Sequence, residues 1–109
     1  MAYDEGLVER LREAFGSRPD IVEKRMFGGL AFMLSGNMCC GVVGETLMAR
    51  VGPAQYETAL SRPYAREMDF TGKAMKGFVY VDSGGIESDA DLQSWVALCE
   101  TFVGSLPRK

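Results

Sequence analysis

The sequence predicts a two-layer α+β fold, with a mainly antiparallel sheet flanked by N- and C-terminal helices. Apolar residues recur at helical spacing near both ends of the chain, while short β-rich runs separated by glycine fill the middle. The connections between these runs are too short for parallel crossovers, which indicates antiparallel pairing. Each apolar helix stripe also needs a sheet face to cover, which favours two layers.

The first helix is predicted from Leu7, Leu11 and Phe15, which recur every four residues among charged neighbours. Gly16 can end this helix by adopting a positive φ. Pro19 then marks a loop, because proline cannot continue the hydrogen-bonded ladder.

The next segment predicts an antiparallel meander of four strands, over residues 21–27, 30–34, 38–43 and 46–51. Residues 35–37 and 44–45 fit hairpin turns, since glycine and asparagine tolerate positive φ. Strand order cannot be inferred from this pattern.

Gly52 and Pro53 end the fourth strand, and Pro53 suits the first turn of a short helix that runs through Tyr56 and Leu60. Pro63 ends that helix. Two further strands are predicted over residues 67–70 and 78–81, separated by a glycine- and lysine-containing connector over residues 71–77.

The final helix is predicted to begin after Ser88, whose hydroxyl can cap it, with Asp89 and Asp91 in the first turn. Its apolar stripe consists of Leu92, Trp95, Val96, Cys99, Phe102, Val103 and Leu106. Because no repeat or Pro/Ser-rich linker divides the chain, we expect one domain over residues 1–109.

Composition excludes several classes of protein. The chain has 109 residues, 47% hydrophobic and 25% charged, which is enough to form a core without disulfide or metal staples. No apolar run reaches the roughly 20 residues of a membrane span, and residues 1–9 carry acidic side chains where a secretory signal needs basic ones. With three unpatterned cysteines, these features predict a cytoplasmic protein.

Catalytic and metal-binding patterns are weak. The sequence has no histidine, and its cysteines lack the paired spacing of a zinc site. We therefore expect no enzyme activity, no cofactor and no metal. Cys39 and Cys40 lie in one predicted strand, so we expect their side chains to point to opposite faces and, like Cys99, to fill the core.

A basic region lies between Arg50 and Lys76, within a chain of net charge −3. Phe70 and Phe78 flank its lysine-bearing connector, a mix that could bind nucleic acid or another polyanion, while the alternative is core packing of the rings beneath ordinary solvated charges. Six methionines, from Met26 to Met75, lie in or beside the sheet-forming region, where they are expected to fill the core; an exposed subset of them would favour a protein partner or a dimer interface.

Four phrases occur in order along the chain: RMFGGL (25–30), RVGP (50–53), MDFTG (68–72) and MKGFVYV (75–81). Together they resemble the N-terminal domain of the TfoX/Sxy family. The resemblance implies a small α+β fold and a link to bacterial competence regulation. It also implies a stand-alone N-terminal domain, because longer members carry a C-terminal domain and this chain ends at Lys109.

The resemblance transfers no catalytic residue. It leaves as candidate surface positions, within or beside the matching phrases, Arg25, Phe27, Arg50, Arg66, Lys73 and Lys76. The leading hypothesis is a non-enzymatic regulatory or protein-interaction module, acting through a protein partner or self-association. The alternative is a DNA- or polyanion-binding module that uses the basic region from Arg50 to Lys76, and a third is a small-molecule binder or thiol enzyme.

Overall fold

The computed structural model describes residues 3–26, 28–69 and 74–108. Its helices are α1 (Glu5–Phe15), α2 (Tyr56–Leu60) and α3 (Asp89–Val103). Its strands are β1 (Ile21–Met26), β2 (Gly29–Leu34), β3 (Asn37–Val43), β4 (Thr46–Arg50), β5 (Ala65–Asp69) and β6 (Ala74–Val81). Single 3₁₀ turns over Pro53–Gln55 and Ser83–Gly85 precede α2 and α3.

All six strands form one antiparallel sheet in the order β1-β2-β3-β4-β6-β5. The first four strands pair in chain order, as the predicted meander requires. The last hairpin then reverses, because β6 inserts between β4 and β5. This arrangement confirms the predicted α+β fold with a mainly antiparallel sheet and terminal helices.

All three α-helices pack on one face of the sheet. They share one buried cluster with alternate residues of the strands, and its members include Leu11, Phe32, Val42, Leu47, Tyr56, Val79, Val81, Leu92 and Trp95. Phe15 of α1 stacks on Phe32 of β2 with ring centroids 5.4 Å apart. None of the described helices has the length and apolar character needed to cross a membrane.

Local signals at the helix ends act as predicted. The Ser88 hydroxyl accepts a hydrogen bond from the Asp91 amide at 3.1 Å, which caps α3. Gly16 ends α1 with a φ of 72°. At the start of α1, the Asp4 carboxylate accepts from the amide of Gly6 at 2.8 Å, a cap that the sequence analysis did not identify.

The second hairpin differs from its prediction. β5 begins at Ala65 and β6 at Ala74, so each strand begins earlier than expected. Residues 74–77, the part of the predicted 71–77 connector that the structure describes, are therefore all strand. Phe27 and Lys73, two of the candidate surface positions, lie outside the described residues.

The prediction that Cys39 and Cys40 point to opposite faces was wrong. Phe32 pairs with Cys40 while the next residue, Met33, pairs with Met38, so Cys39 is the extra residue of a β-bulge. Both cysteines belong to the buried cluster on the helix side. A bulge interrupts the strict alternation of a strand, which places both side chains with the core.

Candidate interaction surface on the helix-free face of the sheet

The face of the sheet opposite the helices is defined by the strand register. Residues paired across antiparallel strands share a face, and successive residues alternate between faces. Leu30, Phe32 and Leu47 belong to the helix-side cluster, which assigns their strand neighbours to the other side. We call this side the helix-free face; its members include Val22, Lys24, Met26, Ala31, Met33, Met38, Gly41, Met48, Arg50, Arg66, Met68, Phe78 and Tyr80.

A row of apolar side chains crosses this face and remains partly accessible. Val22 pairs with Met33, and Met33 pairs with Met38. Val22 is 59% exposed, while Met33, Met38 and Phe78 are half-buried. The side chains of Val22, Met33 and Met38, on β1, β2 and β3, therefore form an apolar strip that solvent can reach.

The same face also carries fully buried residues outside the helix-side cluster. Ala31, Met48 and Met68 each have no solvent exposure. Met48 lies against Gly41, since its Cε would be 2.6 Å from a Cβ at that glycine. Among the sheet methionines whose side chains are described, Met48 and Met68 are fully buried, while Met26, Met33 and Met38 are partly exposed.

Arg50 lies at the end of β4 and is held between two aromatic rings. Its guanidinium carbon lies 5.4 Å from the ring centroid of Phe78 on β6 and 5.6 Å from that of Phe102 on α3, so this group lies where the helix-free face meets the helix layer. The Nη1 of Arg50 donates a hydrogen bond to the carbonyl of Met38 at 3.3 Å. The described side chains include no carboxylate within ion-pair distance of Arg50. A guanidinium held in this way retains donors that match a carboxylate or phosphate.

Arg66 repeats the pairing of cation and ring on the edge strand β5. Its guanidinium carbon is 4.8 Å from the ring centroid of Tyr80, and its Nε and Nη2 donate to the Asp82 carboxylate at 3.0 to 3.2 Å. These hydrogen bonds lower the pKa of Asp82 and raise that of Arg66. Asp82 therefore neutralises much of the charge that Arg66 contributes.

The structure separates the predicted surface positions. Strand register assigns Arg50 and Arg66 to the helix-free face. Lys76 is exposed on β6, next to Gly77, whose carbonyl accepts from the amide of Val51 at 2.8 Å and so lies beside the end of β4. Arg25 is exposed at the opposite edge of the sheet and points to the helix side, because it pairs with Leu30.

Sequence reasoning missed two features of this face. Lys24 was not singled out, although it is exposed and projects on the same face as Met33. Tyr80 was also not recognised as a platform for a cation. The alternation of Phe78 and Tyr80 along one strand was visible in the sequence, and it was the signal that could have identified both rings.

The cysteine-containing region offers no accessible nucleophile. Cys39, Cys40 and Cys99 are unbridged, and each is at most 1% exposed. Hydrogen bonding to Cys39 together with burial raises the pKa of Cys40 well above its usual value, and burial does the same to the pKa of Cys99. Since the thiolate is the reactive form, this arrangement opposes the thiol-enzyme hypothesis.

A family model described as the TfoX N-terminal domain matches residues 13–103. The match begins within α1, ends with α3 and contains all four of the phrases that suggested the resemblance, which is thereby confirmed. Comparison with curated proteins gives no match, and neither does comparison with solved structures.

Proposed function

Because this chain belongs to the TfoX N-terminal domain family, we propose that it is a non-enzymatic regulatory module that binds a protein partner through the helix-free face. The family is a regulatory-type domain family. The observation that carries the proposal is the partly exposed strip of Val22, Met33 and Met38 on a sheet face that the described helices leave uncovered. Flexible methionine side chains suit adaptable protein contacts.

The charges around this strip define the partner. Lys24 and Arg66 project on the helix-free face and Arg50 lies at its border with α3, while Asp82 is held by Arg66. A second copy of the same face would therefore meet like charges, which disfavours face-to-face pairing. The partner that fits is an apolar protein segment bearing Asp or Glu side chains, with Arg50 as the best-placed carboxylate receptor.

The pathway and compartment of this module are also part of the proposal. We propose a role in bacterial competence regulation, which the TfoX/Sxy resemblance implies, and a cytoplasmic location. Three unbridged cysteines fit a reducing compartment. The module acts as one domain over residues 1–109.

Site-specific photo-crosslinking in living cells tests the proposed surface. A photoreactive phenylalanine analogue replaces Met33 in one variant and Gln93 in another, because Gln93 is exposed on α3 on the other side of the sheet. We expect a discrete protein adduct only from position 33, crosslinked to a segment that combines apolar and acidic residues. Adding Lys24→Glu should weaken that adduct several-fold, since it reverses an attractive charge.

Three results would count against this function. Equal adducts from positions 33 and 93 would show that the helix-free face has no special role. An adduct segment without carboxylates, or one indifferent to Lys24→Glu, would refute the charge argument. A nucleic-acid adduct from position 33 would favour the alternative function described next.

The alternative is binding of DNA or another polyanion, and one observation favours it. Two arginines lie over the partly exposed aromatic rings of β6, a combination that can stack bases and contact phosphates. The net charge of −3 opposes non-specific binding. Titration of a fluorescent single-stranded oligonucleotide at 50 and 200 mM salt distinguishes the two functions. A salt-sensitive complex that Lys76→Ala weakens would support the alternative.

A further inference from the structure

β1 forms one complete edge of the sheet, and in the described residues it pairs only with β2. Four of its six residues are exposed, including Val22 at 59%. An exposed edge strand presents backbone N–H and C=O groups that can pair with another strand. The side chains of β1 determine which strand can pair with it.

The backbone groups that face outward can be identified from one hydrogen bond. The Ser35 amide donates to the Asp20 carbonyl at 2.9 Å, just before β1. Hydrogen-bonded and non-hydrogen-bonded pairs alternate along an antiparallel ladder. Val22, Lys24 and Met26 therefore bond β2, while Glu23 and Arg25 direct their N–H and C=O groups away from the sheet.

We propose that two copies of this chain pair through antiparallel β1 strands, about a two-fold axis at Lys24, to form one continuous sheet. In this register Glu23 of each copy lies opposite Arg25 of the other and exchanges both backbone hydrogen bonds with it. Val22 lies opposite Met26 of the other copy on the helix-free face. The two charge pairs and two apolar pairs make the edge complementary to itself.

Charge selects this register over its neighbours. A two-residue shift in one direction places Glu23 opposite its own copy, and a shift in the other direction does the same with Arg25. A one-residue shift places the helices of the two copies on opposite faces, because side chains alternate along a strand. The proposed register therefore avoids pairing Glu23 with Glu23 or Arg25 with Arg25, and it keeps the helices of both copies on one side of the sheet.

Glu23 is already positioned for this contact. Its two carboxylate oxygens accept from Arg12 Nε at 2.6 Å and Nη2 at 2.7 Å, while its side chain remains 32% exposed. Hydrogen bonding to Arg12 lowers the pKa of Glu23, so the carboxylate is charged at neutral pH. Arg25 of the second copy can approach the exposed part of that carboxylate.

Lys24 opposes this association, because the axis places it against its own copy. Lysine on an edge strand is also a common protection against unwanted pairing. The charges of β1 could therefore either prevent pairing or direct it, and these two roles make different predictions. If the charges only protect the edge, the protein is a monomer. If they direct pairing, the protein is a dimer whose stability depends on the signs of the charges at residues 23 and 25.

Charge reversal with mixing tests the proposal on the full-length chain. Sedimentation velocity measures the association of the wild type, Glu23→Arg, Arg25→Glu and an equimolar mixture of the two variants. We expect a wild-type dimer, a loss of at least about tenfold in affinity for each variant alone, and recovery in the mixture. Lys24→Gln should tighten the dimer by about threefold, because it removes a like-charge pair.

Hydrogen exchange then locates the contact. As protein concentration rises, the amides of Glu23 and Arg25 should become protected, while the Lys24 amide, bonded to β2, should not change. Arg25→Glu removes no ion pair of the described residues, and circular dichroism checks that each variant is folded. A wild-type monomer at all concentrations, a dimer indifferent to both reversals, or unchanged exchange at residues 23 and 25 would overturn the proposal.

Discussion

Replacing Gly29 with alanine should destabilise the protein strongly, because this glycine allows β2 to approach β3. A Cβ at Gly29 would lie 2.0 Å from the carbonyl oxygen of Val42. Ordinary contact begins at 3.4 Å, so the strands would have to separate locally by about 1.4 Å. The atom in the way belongs to the backbone, and no side-chain rotation can relieve the clash.

The size of the effect follows from what that separation disrupts. Overpacking of a well-packed region costs about 1 to 3 kcal/mol. Loosening the hydrogen-bonded pairing of Leu30 with Val42 adds about 1 kcal/mol. We therefore expect Gly29→Ala to lower the free energy of unfolding by about 3 kcal/mol.

Gly28 provides the matched control. Its φ is +75°, but no heavy atom lies within 4 Å of a Cβ built there. Gly28→Ala should therefore cost about 1 kcal/mol, from positive-φ strain alone. Urea unfolding followed by circular dichroism measures both variants. Equal losses within about 0.5 kcal/mol would refute the close-approach argument; an unfolded Gly29→Ala beside a folded Gly28→Ala would support it.

Three further predictions concern other parts of the fold. Because Arg66 lowers the folded-state pKa of Asp82, their pair stabilises the protein above the ordinary pKa of aspartate, and this contribution is lost as pH falls through the folded value. Because the pair is exposed, Asp82→Asn should reduce the loss of unfolding free energy between pH 7 and pH 3 by less than about 1 kcal/mol. Urea unfolding at the two pH values measures this difference. All three cysteines should react slowly with a thiol reagent in the native protein and rapidly in urea, whereas one fast native thiol would contradict their burial. Trp95→Ala should cost about 3 to 5 kcal/mol in urea unfolding, because the side chain is 1% exposed, and a loss below about 1 kcal/mol would contradict its place in the core.

Much of the secondary structure was predictable because its signals are local. The cap of α3 at Ser88 and the end of α1 at Gly16 depend on side chains and backbone angles within a few residues. The meander from β1 to β4 also follows from short turns, which leave antiparallel neighbours as the only arrangement. Such features need no knowledge of the distant chain.

The face of each cysteine was not predictable in the same way. Alternation along β3 was a sound rule, but the extra residue at Cys39 shifts the register against β2. That shift becomes visible only when both strands are aligned. Both thiols are buried on the helix side of the sheet, whereas strict alternation would place only one of them there.

The candidate surface was predictable only in part. The sequence identified a basic group that consists of Arg50, Arg62, Arg66, Lys73 and Lys76, and strand register assigns Arg50 and Arg66 to one face. The sequence alone did not reveal that Arg25 points to the helix side of the sheet, or that Lys24 lies on the helix-free face. Membership of a face depends on strand register, which short-range patterns constrain only within each strand.

By itself, the sequence determined the α+β class, the terminal helices, the antiparallel meander and the family, because these depend on local spacing and turn chemistry. Only the tertiary structure decided that β6 lies between β4 and β5, that Met48 is buried while Met33 is accessible, and that β1 is an edge. These outcomes depend on which strands meet and what covers them. Pairing and burial are properties of the whole chain, since each strand satisfies its backbone and apolar side chains with partners distant in sequence.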